Sequence, residues 1–262
     1  MAIFTPGLFA GQAAFVAGGT SGINLAIAKG LAEAGARVIV IGRDPDRAAA
    51  AQATLGGPEI ALGLSCDVRE FDRVEAAFEQ AVGAFGPIDI VISGAAGNFF
   101  APATGMSARA FRVVVDIDLM GTFNVFRAAK AHLRPGNASL IAVSAPLADM
   151  PRPMQAHACA AKAGINQLVR VLAMEWGRDG IRVNGISPGP IAGTKGLALL
   201  GDEAAVQRFT ERLALPRLGS GEDIANAAIF LSSPAASFIT GTIIDCDGGL
   251  RLGDAWMPPE AG

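Results

Sequence analysis

The sequence predicts an α/β fold, one doubly wound domain over residues 1–262 in which helices flank a seven-stranded parallel sheet. Three observations point there. Short β-branched runs alternate with alanine-rich helical stretches from one end of the chain to the other, the signature of a βαβ series. No repeat, charge block or low-complexity linker divides the chain into halves. Its 262 residues, 51% of them apolar, suffice for one large core.

The series opens with a strand at "AAFVAG", followed by a helix over Ile23–Ala34. A strand at "ARVIVIG" leads to a helix over Asp46–Leu55, and one at "IALGLSC" to a helix over Glu70–Phe85. Next come "IDIVISG" with a helix over Ala108–His132, and "ASLIAVS" with a helix over Ala156–Trp176. "IRVNGIS", a helix over Glu222–Leu231 and a last strand in "GTIIDCDGG" complete it. Parallel strands need crossovers, and these are right-handed, so seven such strands make a doubly wound sheet with its ligands beyond the strands' carboxyl ends. The stretch from Ile224 to Ile244 is uncharged, but Ser232, Ser233 and Pro234 break it, so it reads as helix, turn and strand rather than a membrane span.

Charged residues make up 17% of the chain, against about 25% in an average globular protein. Part of the surface is therefore expected to lie against partner subunits in a homo-oligomer. The net charge of −3 comes from interspersed acidic and basic residues, which argues against nucleic acid or a charged membrane surface as partner. Cys66, Cys159 and Cys246 are odd in number and not in metal-ligand spacing, so no metal is expected and the compartment reads as reducing and cytoplasmic. The first residues lack the basic start and cleavage site of a secretion signal, in keeping with that reading.

After the first strand, "AGGTSGIN" runs directly into a helix. Gly18, Gly19 and Gly22 let the backbone turn tightly and approach a pyrophosphate, with Thr20, Ser21 and Ile23 completing the turn at the helix N-terminus. The second strand ends in "IGRDPDR", where dinucleotide-binding folds usually place an acidic residue on the ribose 2′-hydroxyl. The first charged residue here is Arg43, with Asp44 after it and Arg47 one helical turn on. A guanidinium suits a 2′-phosphate, which favours NADP(H) over NAD(H).

Together with Asp67 after the third strand, "SGAAG", a lysine in "QAHACAAKAG" and "SPGPIAGT", these residues resemble the short-chain dehydrogenase/reductase family over essentially the whole chain. The resemblance implies a Rossmann-like domain, usually in a tetramer or dimer. It also implies cofactor contacts from Asp67, Lys162, Pro188, Ile191 and Thr194. The family's usual site holds Asn, Ser, Tyr and Lys, with the tyrosine four residues before the lysine. Here Lys162 matches, Ala158 stands for the tyrosine, and the chain contains no tyrosine at all. Ala145 falls near the serine position with Ser144 beside it, and the asparagine is replaced by Asp118. Asn24 stands where the fingerprint's third glycine would be, so added bulk near the pyrophosphate and weakened cofactor binding are expected.

The stretches "AAGNFFAPA", "VVDIDLMGTFNV", "QAHACAAKAG" and "LPRLGSGEDIA" are similar to one branch, the 2,4-dienoyl-CoA reductases, particularly the peroxisomal type, which also lacks the tyrosine and pairs an aspartate with the lysine. A carbonyl reductase must protonate an alkoxide at the carbon that takes hydride, and a phenol beside a lysine is the natural acid. In a dienoyl thioester hydride adds at the far end of the conjugated system, charge moves to the thioester oxygen, and the proton goes to carbon. Such a site needs donors around an enolate oxygen and a route for water, not that phenol.

By this resemblance Lys162 holds the nicotinamide ribose, while Asp118 orients water or relays the proton. His157 is a candidate to touch the thioester or join the relay, and Ser144 is a further catalytic candidate. Arg69, Phe99 and Ser107 match acyl-CoA contacts, although "TKGLALLG" offers only Lys195 where an arginine is frequent. Two alternatives stay open: an oxidoreductase of another carbonyl or alcohol with Asp118, His157 or water replacing tyrosine, and a cofactor-binding protein without catalysis.

Overall fold

Alternation along the first strand, β1 (Ala13–Ala17), sets how the layers stack. Successive side chains of a strand point to opposite faces. Ala13, Phe15 and Ala17 enter one apolar core, and Ala14 and Val16 enter the other. Both faces of the sheet are thus covered, as a parallel sheet requires.

The computed structural model describes residues 3–194, 197 and 202–253. The remaining strands are β2 (Arg37–Gly42), β3 (Ala61–Ser65), β4 (Ile90–Ser93), β5 (Ala138–Val143), β6 (Ile181–Pro188) and β7 (Ile243–Cys246). All pairings are parallel, in the order β3-β2-β1-β4-β5-β6-β7, so the expected seven-stranded doubly wound sheet is present. Chain order runs outward from β1 to β3, then returns to the other side of β1 as β4. A crevice therefore opens at the carboxyl ends of β1 and β4, where ligands of such sheets bind.

Eight α-helices are described: α1 (Gly22–Glu33), α2 (Pro45–Thr54), α3 (Phe71–Phe85), α4 (Ala108–Val115), α5 (Gly121–Ala129), α6 (Ala156–Trp176), α7 (Glu203–Thr210) and α8 (Gly221–Ser232). Local chemistry starts several of them. Asp44 caps α2 ahead of Pro45, and Ser220 and Asp223 form a reciprocal capping box on α8. Ile27 and Leu31 of α1, Ala51 of α2 and Ile224 and Ala228 of α8 fill the core on one face. Phe78 of α3, Phe126 of α5 and Ile165 and Val169 of α6 fill the other, where Phe78 stacks on Phe15 with centroids 3.9 Å apart. Glycines bring α1 and α8 close: a Cβ at Gly221 would lie 2.6 Å from that of Ala26.

Helix α7 has no counterpart in the sequence expectation, the other helix ends fall within one residue of it, and two elements differ further. The helix expected over Ala108–His132 is α4, a π-helical turn over Asp116–Met120, and α5, ending at Ala129. The last strand is confined to Ile243–Cys246, because Gly241, Gly248 and Gly249 take φ of 77°, 65° and 85°, outside the β region.

Candidate active site

Gly18 and Gly22 hold positive φ, 77° and 58°, and a Cβ at Gly18 would stand 2.8 Å from the backbone nitrogen of Ala95. The β1–α1 turn therefore passes against the segment leaving β4, and only glycine fits there. Asn24, in the first turn of α1, spans the same crevice: its Nδ2 donates to the Gly94 carbonyl at 2.7 Å, and any side chain at Gly94 would collide with the Asn24 amide. Asn24 is thus a cross-tie between two elements as well as added bulk. Ser21 makes no side-chain cap on α1, which leaves the first-turn N–H groups open to an anion.

A groove of 570 Å³ runs from this turn past Thr20, Gly42, Arg43 and Arg47 to Asp67. Gly42 makes room for Thr20, whose hydroxyl oxygen lies 2.7 Å from where a Cβ would be. Arg43 is exposed and has no ion-pair partner among the described residues. Asp44 is occupied: its Oδ1 accepts from the backbone of Asp46 (3.0 Å) and Arg47 (3.2 Å), and its Oδ2 lies 3.4 Å from Arg47 Nε. The groove fits a dinucleotide, with glycine backbone and helix N–H groups for a pyrophosphate and free guanidinium at the end of β2. Ile23 faces the core rather than this groove.

Asp67 and Arg69 form a fork. Arg69 Nη2 donates to Asp67 Oδ2 at 2.6 Å, while its Nε and backbone N–H reach the same carboxylate at 3.0 Å. The side-chain bond from Arg69 holds the Asp67 carboxyl below its ordinary range. Burial, then the Asp67 charge, pushes the neighbouring Cys66 thiol up to about 11.

The second group of residues meets where α6 packs on the π-helical turn. Asp118, 1% exposed, lies on that turn; its Oδ1 accepts from Gly97 N–H at 2.8 Å, and its Oδ2 is 3.3 Å from Lys162 Nζ. Lys162, on α6, also donates to the Val143 carbonyl at 3.0 Å, so one of its three N–H donors is left for a ligand. The close approach depends on Gly164, where a Cβ would come within 2.8 Å of Leu119 Cδ2. Sequence reading missed Thr122 and Ser93. Thr122 donates to the Asp118 carbonyl at 2.7 Å, bracing the widened turn, and receives Ser93 Oγ from the end of β4 at 3.1 Å. A π-turn of this kind, inserted in a helix, is a frequent mark of a functional site.

This groove and buried lysine at the switch point of the sheet accompany a match of residues 17–251 to the family model described as enoyl-(acyl carrier protein) reductase. The chain belongs to the short-chain dehydrogenase/reductase family. It is 41% identical to the peroxisomal 2,4-dienoyl-CoA reductase of Saccharomyces cerevisiae, over 94% of this chain and 86% of the relative. The corresponding enzyme of Rattus norvegicus is 40% identical, over 97% and 87%. D-threitol dehydrogenase of Mycolicibacterium smegmatis is 36% identical, over 92% and 94%. Among solved structures, a gluconate 5-dehydrogenase from Burkholderia cenocepacia, in complex with NADP and tartrate, superposes with a TM-score of 0.86 at 30% identity, covering 93% of this chain and 96% of that one.

In this short-chain dehydrogenase/reductase the other candidate residues separate by environment. Ala158, one turn before Lys162, is buried against Val114 and Ala161, with Phe99 and Leu147 beside them. Ser144 turns to α6, donating to Asn166 Oδ1 at 2.6 Å, so its proton is committed to packing β5 on that helix. Ser107 caps α4, accepting from Ala110 N–H at 3.1 Å. His157 is fully buried with both ring nitrogens unpartnered, a state costing about 1–3 kcal/mol per group. Pro188 ends β6, Ile191 is buried and pairs with Gly219, and Thr194 donates to the Ile191 carbonyl at 2.8 Å. Ile191 lines a second cavity, of 440 Å³, between the ends of β6 and β7. Lys195 lies outside the described residues.

Proposed function

We propose that the chain, as one NADP(H)-binding domain over residues 1–262, reduces a conjugated dienoyl-CoA thioester with NADPH. The observation that carries this reading is the buried Asp118–Lys162 pair, 3.3 Å apart, with alanine rather than a phenol one turn away. The names of the yeast and rat relatives support the same chemistry.

When bound, the reduced nicotinamide supplies the hydride, which the diene takes at its far carbon; the displaced electron pair reaches the thioester oxygen and returns to bind a proton on carbon. The protein's part is to hold and to protonate. Lys162 offers its remaining donor to the nicotinamide ribose, and its positive charge favours electron density nearby. Asp118, fixed by Gly97 and Lys162, orients the water from which the carbon takes its proton. Arg43, assisted by Arg47, receives the 2′-phosphate of NADPH, and Gly18, Gly19, Thr20, Ser21 and Gly22 receive the pyrophosphate. Asp67 accepts from the adenine amine beside its bonds to Arg69. Pro188, Ile191 and Thr194 border the nicotinamide, and Arg69, Phe99 and Ser107 contact the acyl-CoA.

The working form in this proposal is a homo-oligomer in the cytoplasm. Phe111, Val113, Met120 and Phe123 on α4, the π-turn and α5, with Val171 and Met174 on α6, leave apolar surface for a second copy. Three free cysteines suit a reducing compartment.

A second reading, reduction or oxidation of another carbonyl or alcohol, is supported by the D-threitol dehydrogenase relative. One experiment separates them: purified protein and NADPH are given 2,4-hexadienoyl-CoA, crotonyl-CoA and a panel of ketones, following the nicotinamide absorbance. Dienoyl turnover is expected. Turnover of ketones alone overturns the proposal, and binding of NADPH without any turnover favours a protein that keeps the fold without catalysis.

A further inference from the structure

His157 is the one side chain among the described residues with two buried polar atoms that lack partners. Buried polar groups in folded proteins nearly always have a partner, and an exception calls for a reason. Among the described residues none hydrogen-bonds either ring nitrogen; Phe99 meets the ring instead, edge to face, with centroids 4.3 Å apart at 72°.

Phe99 is held there by a small latch. Asn98 Nδ2 donates to Gln155 Oε1 at 2.7 Å, and Ala101 N–H donates to the Met154 carbonyl at 2.9 Å. Met154 is the single non-glycine described residue with positive φ, 65°, a conformation methionine rarely adopts. The latch joins the segment after β4 to the start of α6, over the ring that precedes Ala158. Other side-chain donors here are spent or missing. Ser144 donates to Asn166, positions 145 and 158 are alanine, and Lys162 has two of its three donors engaged.

We propose that His157 is the hydrogen-bond donor to the thioester oxygen, kept under Phe99 until an arriving acyl-CoA turns that ring aside. This rests on the dienoyl-thioester reading. The charge that forms on the oxygen after hydride addition meets an imidazole N–H that has no other partner, so no existing hydrogen bond is broken to make the new one. The same arrangement explains how the site manages without a phenol: the donor sits one residue earlier on α6 and is uncovered only by substrate.

The test uses the full chain with NADPH and 2,4-hexadienoyl-CoA, comparing wild type, His157→Phe and His157→Gln. His157→Phe is expected to lower kcat about 100-fold or more, the usual effect of losing an oxyanion donor. Its NADPH affinity, read by nicotinamide fluorescence, stays unchanged, and its Tm is not lowered, since an unpartnered polar ring is replaced by an apolar one. His157→Gln keeps an N–H donor and recovers part of the loss. Imidazole nitrogen shifts in wild type should move when hexanoyl-CoA is added to the NADP⁺-bound protein, a readout that holds even if a variant does not fold. Wild-type turnover by His157→Phe, or imidazole signals indifferent to hexanoyl-CoA, overturns this inference alone. A wild type that binds NADPH but never reduces the dienoyl thioester overturns the proposed function and this inference together.

Discussion

Asp118 and Lys162 hold each other at 3.3 Å while each is tied to a different strand end, Asp118 to Gly97 after β4 and Lys162 to Val143 of β5. The pair therefore ties the carboxyl ends of the neighbouring strands β4 and β5 together, in addition to any chemistry it performs. Asp118→Ala and Lys162→Ala are each expected to lower dienoyl-thioester turnover by about 100- to 10,000-fold. Each also leaves an uncompensated buried charge, which costs about 3–5 kcal/mol. Circular dichroism and Tm must accompany the kinetics, and a folded Asp118→Ala with wild-type turnover would remove Asp118 from the mechanism.

Ala158→Tyr is expected neither to speed reduction of a dienoyl thioester nor to be well tolerated. Ala158 is 2% exposed and packs against Val114, Ala161 and Phe99, so a phenol there overfills the site at a cost of about 1–3 kcal/mol. A fall in Tm together with unchanged or lower kcat is the expected pair of measurements. A faster enzyme would mean that the chain is a carbonyl-type reductase lacking its acid.

Arg43→Ala should narrow the preference for NADPH over NADH by about ten-fold or more, since charge-assisted hydrogen bonds contribute about 1.5–3 kcal/mol. The Asp44 carboxylate already caps α2 through Oδ1 and faces Arg47 through Oδ2, so it is expected to compete weakly for the ribose. Titration calorimetry with both cofactors checks this; equal affinities in the wild type would refute it.

The Asn24 amide bonds Gly94 across the crevice, which changes the expectation for Asn24→Gly. Removing bulk near the pyrophosphate also removes this tie and places glycine in a helix, each costing about 1 kcal/mol. Lower Tm is the expected outcome, with NADPH affinity no better than wild type. A variant that is both as stable and tighter for NADPH would restore the purely steric view of Asn24.

Acid should weaken the α8 cap. Arg217 first, then the Ser220 backbone N–H, holds the Asp223 carboxyl far below its ordinary value. A depressed carboxyl stabilises the folded state above the unfolded pKa of about 4 and loses that contribution as pH falls towards its folded-state value. Asp223→Ala should therefore destabilise the fold at pH 7 by roughly the 1 kcal/mol of a lost cap, read as a lower Tm, and the gap to wild type should shrink below about pH 4. A gap independent of pH would show that the charge contributes nothing there.

The order of the seven strands and of most helices, the glycine turn, Arg43 at the end of β2 and the alanine one turn before Lys162 were readable in the sequence, whereas α7 and the break between α4 and α5 were not. Each follows from local rules: β-branched runs extend, amphipathic periods coil, glycine takes φ that other residues avoid, and four residues make a helical turn. The π-turn at Asp116–Met120 was not readable, because the bonds bracing Asp118 come from Thr122 and, through it, from Ser93 on a distant strand. Nor did spacing show that Ser144 donates to Asn166, that Asn24 reaches Gly94, or that His157 lies sealed beneath Phe99. A residue's type and place on its element are set by its neighbours in the chain, but whether its polar atoms find partners depends on which element packs over it, and only the folded tertiary structure decides that.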